Sequence, residues 1–301
     1  MQINYKVLDF TIKAETEIKL PDFKGSAFRG GFGNVFRQIT CVLKRYNCVE
    51  CPLKAKCIYA YVFETVSDGT ADFFNMHKYE KVPHPFVFEP PLNRKKIFQT
   101  EEELNFRVIL IGNAIQYAPY FAFTFKELGN LGIGKNMGKF SISKILSTNE
   151  KTISLQPQEM SKRSFTKLSL NILTPIRIKY ERTLVQRLDF HILIRSLIRR
   201  LTLLYYFHCG KQPPQLDVKS LIEKAKKVKI LNDNTRWYDW ERYSSRQNTR
   251  MKLGGVIGEI TYEGEIIPFM PFVKAGEILH VGKGTSFGLG KYEIVDSSLF
   301  Q

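Results

Sequence analysis

Acidic residues are scarce in this 301-residue chain: 29 Asp and Glu face 45 Lys and Arg, for a net charge of +16 and a pI of about 9.5. An excess of that size points to a polyanionic partner. Long apolar runs are lacking as well. No stretch approaches the roughly 18 residues of a membrane span, and the opening MQINYKVLDF alternates in polarity where a signal peptide would carry a charged start and an apolar block. Both absences predict a cytoplasmic protein with no membrane partner. Cysteine is sparse and odd in number, five in all, with four between positions 41 and 57. That excludes a secreted disulfide framework and leaves thiols or metal ligands. No close set of Asp and Glu suits a two-metal centre, and Glu101, Glu102 and Glu103 read as a solvated strand edge. Nor is there a histidine before His77.

What is present suffices for a full core. Hydrophobic side chains make up 44% and aromatics 13%, and the length favours two domains. The chain also repeats itself. LGIGKNMGKFSI places Gly132, Gly134 and Gly138 at the spacing of Gly282, Gly284 and Gly288 in HVGKGTSFGLGKYEI, 150 positions later, and each set is followed by Lys-aromatic-x-Ile. A repeat at half the chain length predicts duplicated domains.

Matching elements flank each loop. Ile3, Tyr5 and Val7 alternate as a strand, continuing through Phe10 and Ile12. Phe28, Phe32, Val35, Phe36, Ile39, Val42 and Leu43 follow at helical spacing. HPFVFEPP and then Leu104, Phe106, Val108 and Leu110 read as strands; Ile111, Ile115, Ala118, Ala122 and Phe125 return to the helical period before the loop and a strand at Phe140. The second half reads alike: a strand at Leu168, Leu170 and Ile172, a helix after Asp189 through Leu204, strands in TRWYDWERY and GGVIGEITYEG, a helix opened by Pro271, then KYEIV. The expected fold is α+β, two tandem ferredoxin-like βαββαβ domains, each with a glycine-rich loop before its last strand. They span 1–150, with a Cys-rich insertion at about 41–64, and 165–301, joined by the polar segment 147–164.

The second loop fits neither a Walker nor a dinucleotide motif, since only eleven residues follow Gly290. Glycine there permits close backbone approach, while Lys135, Lys139, Lys283, Lys291, Thr285 and Ser286 offer donors to a phosphate chain; the alternative is a tight helix-to-strand turn. Cys41, Cys48, Cys51 and Cys57 follow a C-x6-C-x2-C-x5-C pattern whose preferred reading is a structural zinc ion, with buried or free thiols and an iron–sulfur cluster as alternatives.

The chain resembles the CRISPR-associated endoribonucleases that process precursor crRNA, members of the RAMP superfamily. The resemblance covers nearly the whole length. It rests on FRGGFGNVF, CVECPLKAKCIYAYVFE, PHPFVFEPP, GNLGIGKNMGKF, TPIRIKY, WERYSSRQNTRMKLGGVIGEITYEG and HVGKGTSFGLGKY, the last two being the most specific. It implies binding of CRISPR repeat RNA or crRNA and metal-independent cleavage beside a repeat hairpin, with no cofactor for catalysis. The ribose 2′-OH would attack its own phosphate to leave a 2′,3′-cyclic phosphate, and other CRISPR-associated proteins are further expected partners.

Many relatives carry a catalytic histidine on or near the first helix, and this sequence departs from them. His280, abutting the second loop, is the first choice for proton transfer, with Lys283 and Ser286 holding the phosphate; His84 is the runner-up. His191 and His208 read as structural, His77 is uninformative, and Lys24, Arg29 and Arg246 are candidate substitutes. Expected RNA contacts are Arg195, Arg199, Arg242, Arg246, Arg250, Gly282, Gly284, Thr285, Gly288 and Lys291; Arg200 extends the helical basic patch, and Trp237 and Trp240 read as core. Two rivals stand beside this reading: a non-catalytic crRNA-binding subunit of an effector complex, and a metabolic enzyme whose loops hold a nucleotide.

Overall fold

Leu8, Phe10, Ile12 and Ala14 are buried while the residues between them are partly exposed, the two-residue period of a strand with one face on a core. They lie on β1 (Gln2–Ala14) of the computed structural model. The structure describes residues 1–44, 46–65, 82–156, 167–210, 212–239, 241–244 and 249–295, with backbone alone for 241–244 and 249–252. The chain divides into two units, one of residues 4–152 and 206–213, the other of 1–3, 153–205 and 214–301.

In the first unit β1 is followed by β2 (Ile18–Lys19), α1 (Gly25–Thr40), β3 (Phe86–Glu89), β4 (Ile97–Phe98), β5 (Glu103–Ile111), α2 (Ala118–Leu131), β6 (Phe140–Ser147) and β7 (Lys151–Ser154). The sheet runs β3-β5-β1-β6 with antiparallel neighbours, and β7 also pairs with β1. Its core is built from phenylalanine: Phe10 stacks on Phe106 at 4.9 Å, and Phe32 meets Phe121 and Phe125 at 4.8 Å each. The glycines of FRGGFGNVF let α1 sit close to its neighbours. A Cβ on Gly31 would meet Leu128 of α2 at 3.0 Å, and one on Gly33 would meet the Phe63 ring at 3.0 Å.

Two expectations need correction here. α1 ends at Thr40, where Cys41 turns extended, so Val42 lies off the helical face and is exposed. Ile111 is the last residue of β5 and Ile115 lies in a 3-10 turn (Gly112–Tyr117), so α2 starts only at Ala118, with Pro119 in its first turn. The polar segment 147–164 holds the last residue of β6, all of β7 and the boundary between the two units, and its residues 157–164 lie outside the described residues.

The second unit holds β8 (Lys167–Ile176), β9 (Lys179–Tyr180), β10 (Thr183–Leu184), α3 (Phe190–Tyr205), α4 (Val218–Ala225), β11 (Lys229–Tyr238), β12 (Glu241–Ser244), β13 (Thr249–Lys252), β14 (Gly255–Glu263), α5 (Met270–Leu279) and β15 (Tyr292–Ile294). Its main sheet runs β11-β14-β8-β15, again antiparallel throughout. In both sheets the first long strand lies next to the last. The expected middle strand TRWYDWERY is divided between β11 and β12, while α4 and the β9–β10 and β12–β13 pairs have no counterpart in the sequence reading. Trp237 is half-buried on the edge strand β11, and Trp240 lies outside the described residues.

Arg200 is not part of a basic surface patch. It is buried on α3, where its Nε donates to the carbonyls of Leu279 and His280 at 3.1 Å and its Nη2 to Leu279 at 2.9 Å. Those carbonyls end α5, and a cation is favoured at that pole of a helix. Burial pushes the guanidinium down to about 9, which leaves it charged at neutral pH. Replacing Arg200 with Ala leaves the carbonyls without their donor, so we expect a loss of about 1 to 3 kcal/mol in stability. Thermal melting of the purified Arg200→Ala variant checks this; an unchanged midpoint would show that the α5 end does not depend on the guanidinium.

Candidate nucleic-acid interface

Each glycine loop precedes the last strand of its sheet, and because that strand pairs with the first, the loop meets the chain just beyond the first strand's end. The two docking points are equivalent. The Lys135 amide donates to the Lys19 carbonyl at 2.9 Å, and the Lys283 amide donates to the Arg177 carbonyl at 2.8 Å. A Cβ on Gly134 would stand 2.3 Å from the Lys19 carbonyl oxygen, and one on Gly282 would stand 2.6 Å from that of Arg177. Glycine is needed at both positions for this approach, and both have positive φ, 83° and 82°. By this contact Gly134-Lys135 corresponds to Gly282-Lys283, two positions away from the register suggested by glycine spacing alone.

The second loop uses its amides largely on itself. Val281 donates to Gly290, Phe287 and Leu289 to Gly284, Gly288 to Thr285, Gly290 to Pro175, and Lys291 to the Thr174 hydroxyl. Thr285, Ser286 and Gly288 are buried, whereas Lys283 is exposed, Gly282 and Gly284 are partly so, and Lys291 is half-buried. His280 is 0% exposed. Its Nδ1 lies 3.0 Å from the Leu289 carbonyl, and its backbone takes φ 61°, ψ 170°, a region that L residues rarely adopt. His280 and Ser286, expected to touch substrate, are therefore packing residues in this conformation, as is Thr285. Of the expected catalytic set, Lys283 alone presents its side chain outward.

The other candidates divide similarly. Arg195 is exposed on α3 with its guanidinium 5.8 Å from the Tyr180 ring centre, and Arg199, one turn on, is half-buried and engaged. Arg242 and Arg250 lie on β12 and β13, in the adjacent register pairs Arg242↔Met251 and Tyr243↔Arg250. Arg246 and His77 lie outside the described residues. Lys24 is buried ahead of α1, its Nζ donating to the Asn93 carbonyl at 2.6 Å, and burial lowers its pKa. His208 is buried, with Nδ1 3.1 Å from the Tyr61 hydroxyl and Nε2 2.9 Å from the Pro83 carbonyl. His84 is half-buried, its ring stacked 5.7 Å from Phe86 and 6.4 Å from Phe63; the same Phe63 ring carries the Arg29 guanidinium at 5.0 Å. Among the described histidines only His84 and His191 keep partial exposure.

The cysteines lie near one another, Cys41 and Cys57 both acting electrostatically on Cys48. Cys41, Cys48, Cys51 and Cys57 are all free and half-buried, and among the described residues no three His, Cys, Asp or Glu side chains gather as a metal site. The Arg37 guanidinium interacts with Cys41 and Cys48, and burial pushes the Cys48 thiol up.

Among the described residues no helix is long and apolar enough to cross a membrane. Residues 3–167, more than half the chain, match the model of an N-terminal domain designated AF_1859_N, and residues 170–292 match that of the CRISPR-associated endoribonuclease Cas6. An uncharacterized protein of Archaeoglobus fulgidus is 24% identical over 295 residues, covering 91% of this chain and 92% of its own. Two Cas6 product complexes share the fold. One, at TM-score 0.56 and 15% identity, covers 97% of this chain and 99% of its own; the other, at 0.53 and 14%, covers 97% and 100%. Thermus thermophilus Cas6 superposes at 0.52 with 14% identity, covering 98% and 99%. Residues 3–167 thus belong with the AF_1859_N domain, and residues 170–292 with the Cas6 family of CRISPR-associated endoribonucleases.

Proposed function

We propose that this protein cleaves CRISPR repeat RNA to mature crRNA without a metal ion, by attack of a ribose 2′-OH on the adjacent phosphate to give a 2′,3′-cyclic phosphate. The match of residues 170–292 to the Cas6 model carries the reading, and the net charge of +16 suits a polyanionic substrate. The strand orders β3-β5-β1-β6 and β11-β14-β8-β15 agree with two ferredoxin-like domains, the architecture expected of such a nuclease. Mature crRNA and other CRISPR-associated proteins are its proposed partners.

The reaction asks the protein to orient the sugar, take one proton, return another to the 5′-oxygen and stabilise the negative phosphorane. Lys283, held outward by the docked amide behind it, is suited to a phosphate oxygen. His84 is the better candidate for proton transfer, because the residue is partly exposed, with its Nδ1 buried, where His280 is fully enclosed. Arg29, over the Phe63 ring, is a cation for the phosphorane. A second reading, a crRNA-binding subunit without cleavage, draws on the enclosure of His280 and Ser286, the two residues expected to act together with Lys283.

Incubation with repeat RNA in excess EDTA should yield cyclic-phosphate ends, and a 2′-deoxy substitution at the cut should abolish scission. Binding without scission would favour the second reading. His84→Ala should slow single-turnover cleavage by roughly 100-fold or more while RNA affinity is kept, whereas full activity in that variant would remove His84 from the chemistry. Lys283→Ala should weaken binding and flatten its salt dependence by about one counterion; an unaltered salt slope would show that the loop does not touch phosphate.

A further inference from the structure

The β9–β10 hairpin carries a small basic and aromatic cluster that the proposed cleavage chemistry does not use. Tyr180 pairs with Thr183 across a two-residue turn, whose central residues Glu181 and Arg182 take positive φ of 47° and 69°. That twist is the one a two-residue hairpin prefers, and Asn-Gly would adopt it without strain. This chain instead holds a glutamate and an arginine there, and both are exposed. The turn is also braced: the Thr183 hydroxyl donates to the Tyr180 carbonyl at 3.1 Å, and the Val185 amide to the Ile178 carbonyl at 3.0 Å.

Beside the hairpin runs α3. His191 and Arg195, one turn apart on it, both face the Tyr180 ring, His191 edge-on at 6.0 Å and 81°, Arg195 with its guanidinium at 5.8 Å. Tyr180 stays half-exposed between them, and Lys179, Arg182 and Arg195 are exposed. The nearby charges are not all positive. Arg187 pairs with Asp189 at 3.4 Å, and Arg195 lowers the pKa of Glu223 as one of several smaller influences. An aromatic ring fixed by two α3 side chains and bordered by cations is the combination that stacks an unpaired base while neutralising the phosphates on either side.

We infer that the β9–β10 hairpin is a single-strand RNA contact, with Tyr180 stacking on an unpaired base and Lys179, Arg182 and Arg195 engaging the flanking phosphates. This rests on the RNA reading above and adds a site to it. A folded acidic protein would meet the same charge but would give the ring no base to stack on, so the ring distinguishes the two partners.

The test uses the full-length protein and fluorescein-labelled repeat RNA blocked at the cut by a 2′-deoxy nucleotide, read by anisotropy. Tyr180→Ala should weaken binding by roughly 5- to 100-fold, while Tyr180→Phe, which keeps the ring, should stay within about twofold of the wild type. Arg182→Ala should lower the salt slope by about one. If the wild type fails to bind the RNA, the RNA reading itself falls and this inference with it. If the wild type binds and Tyr180→Ala binds equally well, or Tyr180→Phe is as weak as Tyr180→Ala, the hairpin contact is overturned while the RNA reading stands. Thermal melting accompanies each variant, and should Tyr180→Ala not fold, the paired Lys179→Ala and Arg182→Ala variants decide through affinity and salt slope.

Discussion

Pairing of the last strand with the first governs much of each unit. β6 lies against β1 and β15 against β8, so the chain that leads into the last strand must pass the point where the first strand ends. A peptide group there meets another peptide group at hydrogen-bonding distance, and a side chain on the approaching residue would collide with it. The sequence answers twice in the same way, with Gly134-Lys135 on the Lys19 carbonyl and Gly282-Lys283 on that of Arg177. A lysine side chain is thereby carried outward beside each docked backbone. Geometry of the sheet, more than the chemistry of a ligand, accounts for the glycines.

The same constraint explains why polar residues near the second loop lie inside. α5 ends where the loop begins, and its final carbonyls face the interior of the unit. Arg200 reaches them from α3, and His280 completes the corner through the Leu289 carbonyl. An unpaired buried carbonyl costs more than a typical hydrogen bond contributes, so such a corner must be furnished with donors. Histidine and arginine serve that purpose here, although the same residue types beside a glycine loop would equally suit catalysis.

Phenylalanine plays the comparable part in the first unit. Phe32 and Phe63 lie where α1, the turn at Ala60–Glu64 and the sheet converge, and the glycines of α1 bring these layers close enough for the rings to touch. Glycine within a helix costs roughly 1 kcal/mol relative to alanine, and ring packing offsets it. This arrangement carries Arg29 over Phe63 and sets His84 against Phe86, so residues that could act on RNA rest on a rigid aromatic base.

Periodicity and charge were legible from the amino acids alone. The two-residue period of β1 and β5, the helical period of α3, the half-length repeat of the glycine loops and the excess of lysine and arginine together announce an α+β protein with a polyanionic partner, and RNA as that partner came only from the family resemblance. These features depend on neighbours along the chain, which is why they survive without coordinates. Short elements without a period, α4 and the β9–β10 and β12–β13 pairs, were not legible, and neither was the end of α1 at Thr40. Only the tertiary structure decided which polar side chains face solvent. Arg200 and His280 are enclosed, and Lys283 and His84 are not, because burial depends on what distant segments bring to the same place, and residue spacing within one segment carries no record of that.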